Sequence, residues 1–268
     1  MKFPAAKNSA GFTMIEIAIC LAIIGFALVA VILVLPYGMS AQRDNREETI
    51  ISEDASILLE TIRSGSHGAD DLTNYVYAIT NFWTSYGADG LIAAKGSDHF
   101  TYNTAVFDGN SVPFFSLTNG ANIIGLLSLP EFADGYYGRP ISYPFGVSYT
   151  SNHVYAYIRS LSGLAAEKPP QNNSIMLGDT LTYRLLSVNA PVAVDTNNAF
   201  TPFARQLAAN QRELRLTFRW PVLPNGKVVD NGSSPQTFRT SIAGQLQQLR
   251  TNGYALYYYQ PQSFTNAP

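Results

Sequence analysis

Cysteine is nearly absent from this chain of 268 residues, and the one present, Cys20, lies inside a long apolar run. The remainder of the sequence therefore cannot be cross-linked by disulfide bonds. Many small extracytoplasmic domains need such bonds, but a segment of about 200 residues can bury enough apolar surface to fold without them. This scarcity excludes a disulfide-stapled scaffold.

Motifs of known catalytic chemistry are also lacking. The three histidines (His67, His99, His153) are isolated, and there is no His-Glu-x-x-His, no cysteine pair, no Gly-x-Ser-x-Gly and no phosphate-binding glycine loop. The sequence thus predicts neither an enzyme nor a bound cofactor. The segments around Asp195 and Asp230 have oxygen ligands of the kind that calcium takes, but such Asp/Asn clusters are turns more often than metal sites.

Charge is sparse and unevenly distributed. Charged residues make up 13% of the chain, whose net charge is −2; residues 64–195 have ten acids and five bases, whereas residues 196–268 have two and seven. No dense basic run occurs, so a nucleic-acid partner is not expected. Two alternatives stay open for the basic residues, among them Arg205, Arg212 and Arg215. Either folding mixes the charges, or they form patches complementary to those of neighbouring molecules.

What the sequence does have is an uninterrupted apolar run near its N-terminus. Every residue from 17 to 35 is apolar or glycine, and a short leader with Lys2 and Lys7 precedes the run. A helix over residues 14–35 would be roughly 33 Å long, enough to cross a hydrocarbon core of about 30 Å. The run predicts a membrane-spanning helix, and the short basic leader favours a cytoplasmic N-terminus. A plain signal anchor is the alternative; a secretory signal peptide would be shorter and followed by an Ala-x-Ala-like site.

One carboxylate, Glu16, lies at the start of this apolar run. A carboxylate inside a bilayer costs on the order of 2.5–3.5 kcal/mol, so it needs a partner. One interpretation places Glu16 in the first helical turn, where it interacts with the positive end of the helix dipole. The other is that cleavage between Gly11 and Phe12 creates an α-amino group that neutralises Glu16 of a neighbouring helix. Glu16 would then be an assembly residue.

The run Gly11-Phe-Thr-Met-Ile-Glu16 resembles the leader-cleavage signature of type IV pilins and of type II secretion pseudopilins, Gly-Phe-Thr-Leu-Ile-Glu, with Met14 in the Leu place. The resemblance covers residues 7–63. It implies that a membrane prepilin peptidase cleaves after Gly11 and N-methylates Phe12, and that Glu16 acts in subunit recruitment and helix packing. The partners it implies are other pilin or pseudopilin subunits, the inner-membrane assembly platform and membrane lipid.

Beyond the span, residues 40–63 again have a helical pattern, with an apolar stripe at three- and four-residue spacing. Pro36 and Gly38 predict a kink or a local break between the two halves. We therefore expect a leader at 1–11, a transmembrane helix at 12–36, an amphipathic exported half of the helix at 37–64 and a globular, β-rich extracytoplasmic domain at 65–268.

From about residue 99 onward the sequence predicts strands, because β-branched and aromatic runs alternate with Gly, Pro, Asn and Asp. These strands are expected at residues 100–107, 112–117, 123–129, 154–161, 181–188, 214–222, 236–242 and 255–259. Residues 70–86 predict a second helix, and residues 203–212 predict a short helix that leads into a strand. The expected fold class is α+β: a long N-terminal helix packed on an antiparallel β-sheet domain, the lollipop shape that the pilin family implies.

The segment Arg215-Leu-Thr-Phe-Arg-Trp-Pro221, with Leu223-Pro-Asn-Gly226 and Gln236-Thr-Phe-Arg239 after it, resembles pseudopilin-like proteins of the Verrucomicrobial cassette families, whose activity is not established. The alternation of apolar and polar residues from Leu214 to Arg219 predicts a half-buried strand that ends near Pro221.

The favoured function is a structural subunit, a minor pilin or pseudopilin. It is expected in the cytoplasmic (inner) membrane as a single-pass protein, and in a type IV pilus-like filament or a type II secretion pseudopilus after leader cleavage. The alternative is a membrane-anchored extracytoplasmic binding or adhesion module. Tyrosines at residues 136–157 and 254–259 would suit adhesive contacts, although tyrosine also suits ordinary strands.

Overall fold

The computed structural model describes residues 11–65, 70–101, 117–134, 148–162, 180–192, 202–223, 226–228, 235–251 and 254–264. Contacts divide the chain into two units, Met1–Thr49 and Ile50–Pro268. One helix, α1 (Met14–Ser64), contributes residues to both units. The expected α+β class is confirmed, since this long helix is followed by an antiparallel β-sheet domain. The boundaries expected for leader, span and exported segments stay predictions.

The first unit contains the apolar part of α1. Its most apolar 18-residue window has a mean hydropathy of 3.3, and none of that window is buried. By length and composition, α1 is the one helix in the described chain that could cross a membrane. The helix continues through Pro36 and Gly38, so the local break expected there does not occur. A proline removes only its own backbone hydrogen bond, and the neighbouring turns keep theirs; the kink stays a prediction.

The last part of α1 belongs to the second unit and is amphipathic, as expected. Ile51, Ala55, Leu58 and Ile62 are fully buried, and their four- and three-residue spacing places them on one side of the helix. The helix ends at Ser64 and is followed by Gly65, whose φ of +71° favours glycine. A Cβ atom at Gly65 would also collide with the backbone carbonyl of Tyr259.

The described residues after α1 form nine strands, all paired antiparallel. Their bounds are β1 (Val76–Tyr86), β2 (Ile92–Thr101), β3 (Phe132–Asp134), β4 (Tyr149–Arg159), β5 (Thr182–Pro191), β6 (Gln211–Arg219), β7 (Gln236–Ala243), β8 (Gln245–Thr251) and β9 (Tyr254–Gln260). The large sheet has the order β2-β1-β4-β5-β6-β7, with β3 paired to β4 as its seventh strand, and β8 and β9 form a separate hairpin. The predicted strands that correspond to β4, β5, β6, β7 and β9 are confirmed within a few residues.

The helix predicted over residues 70–86 is wrong. Asp70–Asn74 form one short 3-10 helix, and β1 follows it directly. The pairing of β1 with β4 shifts register between Val76 and Ala78, so one extra residue lies in β1 at this point. Such a bulge places Val76 and Ile79, three residues apart, on the same buried face. The three-residue spacing that suggested a helix therefore comes from a bulged strand.

The strand predicted at residues 123–129 is also wrong, because this segment lies largely in helix α2 (Gly120–Leu127). The Asn119 side chain accepts a hydrogen bond of 2.8 Å from the Ala121 N–H and caps the helix. A Cβ at Gly125 would lie 2.8 Å from the Tyr258 hydroxyl oxygen, so glycine lets α2 approach the β8–β9 hairpin closely. Helix α3 (Pro202–Asn210) is confirmed, whereas most of the strands predicted at 100–107 and 112–117 falls on residues outside the described ones.

One face of the large sheet is buried and forms the core of the second unit. The buried stripe of α1, helix α2 and the β8–β9 hairpin all contribute to the same apolar cluster as this face. Residues alternate along the strands between this core and the opposite face, which we call the outer face. The inner-facing residues of the central strands include Val154, Ala156, Ile158, Leu185, Leu214, Leu216 and Phe218.

A buried carboxylate, Asp54, joins α1 to the end of β4. Its two oxygens accept hydrogen bonds of 2.9 Å from the backbone N–H groups of Leu161 and Ser162. Burial raises the pKa of Asp54 above its ordinary value of 3.8, although these hydrogen bonds act against the rise. Burial, together with the charge of Asp54, also raises the pKa of the Tyr183 hydroxyl. These directional hydrogen bonds fix the position of residues 50–64 of α1 along the helix axis, whereas apolar packing alone would allow the helix to slide.

We expect Asp54→Ala to lower the free energy of unfolding by about 2 kcal/mol, because it leaves two backbone donors unpaired in a partly buried place. Unfolding of the full chain by urea, followed by the fluorescence of Trp83 and Trp220, measures this change. Glu53→Ala is the matched control, because Glu53 is the exposed neighbouring carboxylate and its removal should change stability by less than about 0.5 kcal/mol.

The same pair of proteins gives a pH test. Because the pKa of Asp54 is raised in the folded state, its contribution to stability is complete below the unfolded pKa of about 4 and is lost as the pH rises above it. The stability difference between wild type and Asp54→Ala should therefore shrink from pH 4 towards neutral pH. A difference that grows over this range would contradict the raised pKa.

Candidate functional site

The site expected from the sequence lies at the start of α1, and the structure shows a specific hydrogen-bond arrangement there. The Glu16 carboxylate oxygen Oε2 accepts hydrogen bonds of 2.8 Å from both the backbone N–H and the hydroxyl of Thr13. The Glu16 N–H is 3.4 Å from the Thr13 hydroxyl oxygen. Since Met14 is the first helical residue, Thr13 is the N-cap residue and Glu16 the third residue of the helix.

This arrangement is a capping box, in which an N-cap Ser or Thr and a Glu or Gln three residues later satisfy each other's backbone donors. Of the two interpretations of Glu16, the first-turn position is confirmed. The other carboxylate oxygen, Oε1, accepts no hydrogen bond from the described residues. The position within the first turn and the proposed role in assembly are therefore compatible, because one carboxylate oxygen caps the helix and the other can pair with a cation.

The sequence already contained the signal for this cap. Thr13-Met14-Ile15-Glu16 is a Thr-x-x-Glu pattern immediately before an apolar run, which is typical of a helix N-terminus. Thr13, the capping partner of Glu16, was not among the candidate residues predicted from sequence.

Gly11 and Phe12 come directly before this cap. A Cβ atom placed on Gly11 would meet no heavy atom within 4 Å, and its φ is not in the positive range that favours glycine. The Phe12 side chain is 82% exposed. Within the described chain, packing requires neither Gly11 nor Phe12. If these residue types are needed, the need arises from a partner that binds this segment.

Two further predicted features lie elsewhere. Arg212 is buried, donates to the Asn189 carbonyl oxygen at 3.3 Å and so cannot belong to the basic surface patch considered for it. Three of the four tyrosines of β9 are buried too, and they pack in the core rather than forming an adhesive surface: Tyr257, Tyr258 and Tyr259. The segments considered for calcium, around Asp195 and Asp230, lie outside the described residues.

Comparison with protein families identifies the N-terminal segment. Residues 6–32 match the prokaryotic N-terminal methylation motif, a span that includes the predicted cleavage junction, the capping box and most of the apolar run. The motif is that of type IV pilin-like precursors. It implies processing by prepilin peptidase and assembly with other pilins. Together with the apolar helix, it indicates a single-pass, membrane-anchored protein. Pilin-like proteins are in general structural and not enzymes.

The comparisons assign nothing to the rest of the chain. No characterised protein and no solved structure matches it. The resemblance of residues 215–239 to Verrucomicrobial cassette proteins therefore stays a prediction.

We expect Thr13→Ala to weaken the first turn of α1 by about 1 kcal/mol, the usual cost of losing an N-cap hydroxyl. Hydrogen–deuterium exchange of the full chain in detergent should then show faster exchange at residues 13–16. Thr49→Ala is a suitable control, because the Thr49 hydroxyl donates to the Asn45 carbonyl inside α1 and caps nothing. Unchanged exchange at residues 13–16 would show that the capping box does not stabilise the helix start.

Proposed function

We propose that the protein is a minor pilin or pseudopilin that is trimmed after Gly11 and assembles through α1 into a type IV pilus-like filament or a secretion pseudopilus. The observation that supports this most strongly is the methylation motif at residues 6–32, placed at the start of an exposed helix of membrane length. The sizeable second unit, Ile50–Pro268, favours a minor subunit, because a bulky domain packs less readily in a major filament.

Assembly through α1 follows from the exposed apolar surface of the helix. In the membrane this surface contacts lipid, and in a filament outside the membrane it must be covered by other helices. The large apolar residues of the span are exposed all around the helix, so neighbours can pack against every side. The most exposed of them include Phe12, Met14, Phe26, Ile32 and Val34.

Glu16 provides the polar element of this packing. Cleavage after Gly11 would place the α-amino group of Phe12 next to Thr13, at the level of the capping box. Within one chain the Glu16 oxygen Oε2 already accepts two hydrogen bonds from Thr13. The α-amino group of a neighbouring subunit could therefore pair with Oε1, which neutralises both charges inside an apolar bundle.

The first test is the intact mass of the mature protein from membranes of cells that contain the prepilin peptidase. We expect a chain that begins at N-methylated Phe12, and we expect Gly11→Val to remain a full precursor. Gly25→Val is the matched control, because a Cβ at Gly25 also meets nothing within 4 Å, and this variant should be processed. A wild-type chain that still begins at Met1 or Lys2 would contradict the proposed function.

The second test separates the charge of Glu16 from its capping role. Gln can replace Glu in a capping box, so Glu16→Gln should keep the helix start and leader cleavage intact. Incorporation into filaments should nevertheless fall by about tenfold or more, because the ammonium group of the neighbouring subunit is left unpaired in an apolar bundle. The measurement is the fraction of subunit in sheared filaments when the protein is produced with its own assembly system.

Glu60→Gln is the control for this test, because Glu60 is an exposed carboxylate later in α1. Normal assembly of Glu16→Gln would show that the carboxylate acts only within its own chain, as a cap.

A further inference from the structure

The outer face of the sheet carries a cluster of arginines. The alternation along β4 to β7 places five of them on this face: Arg159, Arg184, Arg215, Arg219 and Arg239. Glu213 is the one carboxylate in the same four strands. We call this set the arginine face. In the sequence these residues are spread over 81 positions, and only the pairing of the strands brings them together.

Four of these arginines form two pairs directly opposite each other on neighbouring strands. Arg184 on β5 lies opposite Arg219 on β6, and Arg215 on β6 lies opposite Arg239 on β7. Like charges in such positions destabilise a sheet. The second pair shares Glu213, at 3.3 Å and 4.0 Å from its side-chain nitrogens. Arg184 and Arg219 have no ion pair with any carboxylate of the described residues. Within the part of the chain that the structure describes, the opposition of Arg184 and Arg219 is therefore unfavourable and no carboxylate offsets it.

We propose that the arginine face binds an anionic polysaccharide, whose carboxylate or sulfate groups pair with its guanidinium groups. Arginine presents a planar guanidinium that matches such groups bidentately. Along β6 the two arginine pairs are four residues, or about 13 Å, apart. Between them the hydroxyls of Thr217 and Thr237 lie 3.0 Å apart and offer partners for sugar hydroxyls. A flat polymer with repeated charges and hydroxyls complements this layout.

A nucleic acid fits the same face less well. Single strands are held by bases that stack on free aromatic rings, but the guanidinium of Arg184 lies over the Tyr155 ring at 5.3 Å and that of Arg159 over the Tyr77 ring at 5.5 Å. Duplex DNA admits a two-stranded ribbon into its major groove of about 12 Å. Four strands spaced about 4.8 Å apart are wider than that groove.

The location of the arginine face also argues for a soluble polymer rather than a neighbouring subunit. It lies on the side of the sheet opposite to the core, and α1 residues 50–64 pack on the core side. If residues 50–64 of α1 are turned towards the filament, as the proposed function implies, the outer face lies on the opposite side of the sheet from them. This step alone rests on the proposed function.

The test measures binding to full-length protein held singly in phosphatidylcholine nanodiscs, by biolayer interferometry at about 50 mM salt, where charge screening is weak. The probes are polygalacturonate, heparin, neutral dextran, and single-stranded and duplex DNA. We expect saturable binding of polygalacturonate or heparin that weakens with salt, and none of dextran. The double substitution Arg184→Gln with Arg219→Gln should weaken this binding by about tenfold or more, as expected when two charge-assisted contacts are lost.

Arg63→Gln is the matched control, because Arg63 is an exposed arginine near the end of α1, outside the arginine face, and its loss should leave binding unchanged. The melting temperature of the double variant should stay equal or rise, since a like-charge pair is removed, so lost binding would not reflect unfolding. Failure of both polysaccharides to bind, tighter binding of DNA, or binding indifferent to the double substitution would each overturn the proposal. None of these results depends on processing or assembly, so the mass test of the proposed function stands separately.

Discussion

The packing of one side of α1 against the inner face of the sheet is the contact on which the second unit depends. Ile51, Ala55, Leu58 and Ile62 are fully buried and belong to the same cluster as the central strands. Hydrophobic packing of this kind is strong but does not specify position along the helix axis. Asp54 adds that specificity, because its carboxylate meets two fixed backbone N–H groups after β4.

The same helix must satisfy a second environment. From residue 17 to 35 it is apolar on every side and exposed, which suits lipid or other helices, whereas from residue 50 onward it is apolar on one side only. A polar helix start is costly in an apolar setting, because the first N–H groups of a helix lack partners. The capping box of Thr13 and Glu16 satisfies part of this need within the chain. In this way one carboxylate serves the fold of the subunit and remains available for the contact between subunits that we propose.

The two faces of the sheet have separate roles in this description. The inner face is apolar and holds the helices and the hairpin, and the outer face is rich in arginine and half-buried tyrosine. Arg184 and Arg219 lie opposite each other on neighbouring strands, and among the described residues no carboxylate offsets the repulsion between their charges. Such an unfavourable pair is understandable when an external anion completes it. The arginines of the outer face thus give a structural basis for binding, the function that the sequence offered as the alternative to a structural subunit.

The sequence by itself determined the N-terminal motif, the span and the amphipathic end of α1, because each depends on residues within a few turns of one another. It also predicted strands where alternation was regular, as in β5 and β6. Tertiary structure decided the rest. The bulge in β1 gives Val76 and Ile79 a spacing that is typical of a helix. The apolar residues of α2 resemble a buried strand, although Asn119 caps the start of this helix. The Asp54 contact joins residues 107 positions apart, and the arginine face arises from strand register. Register follows from which faces are buried together, and no local pattern contains that information.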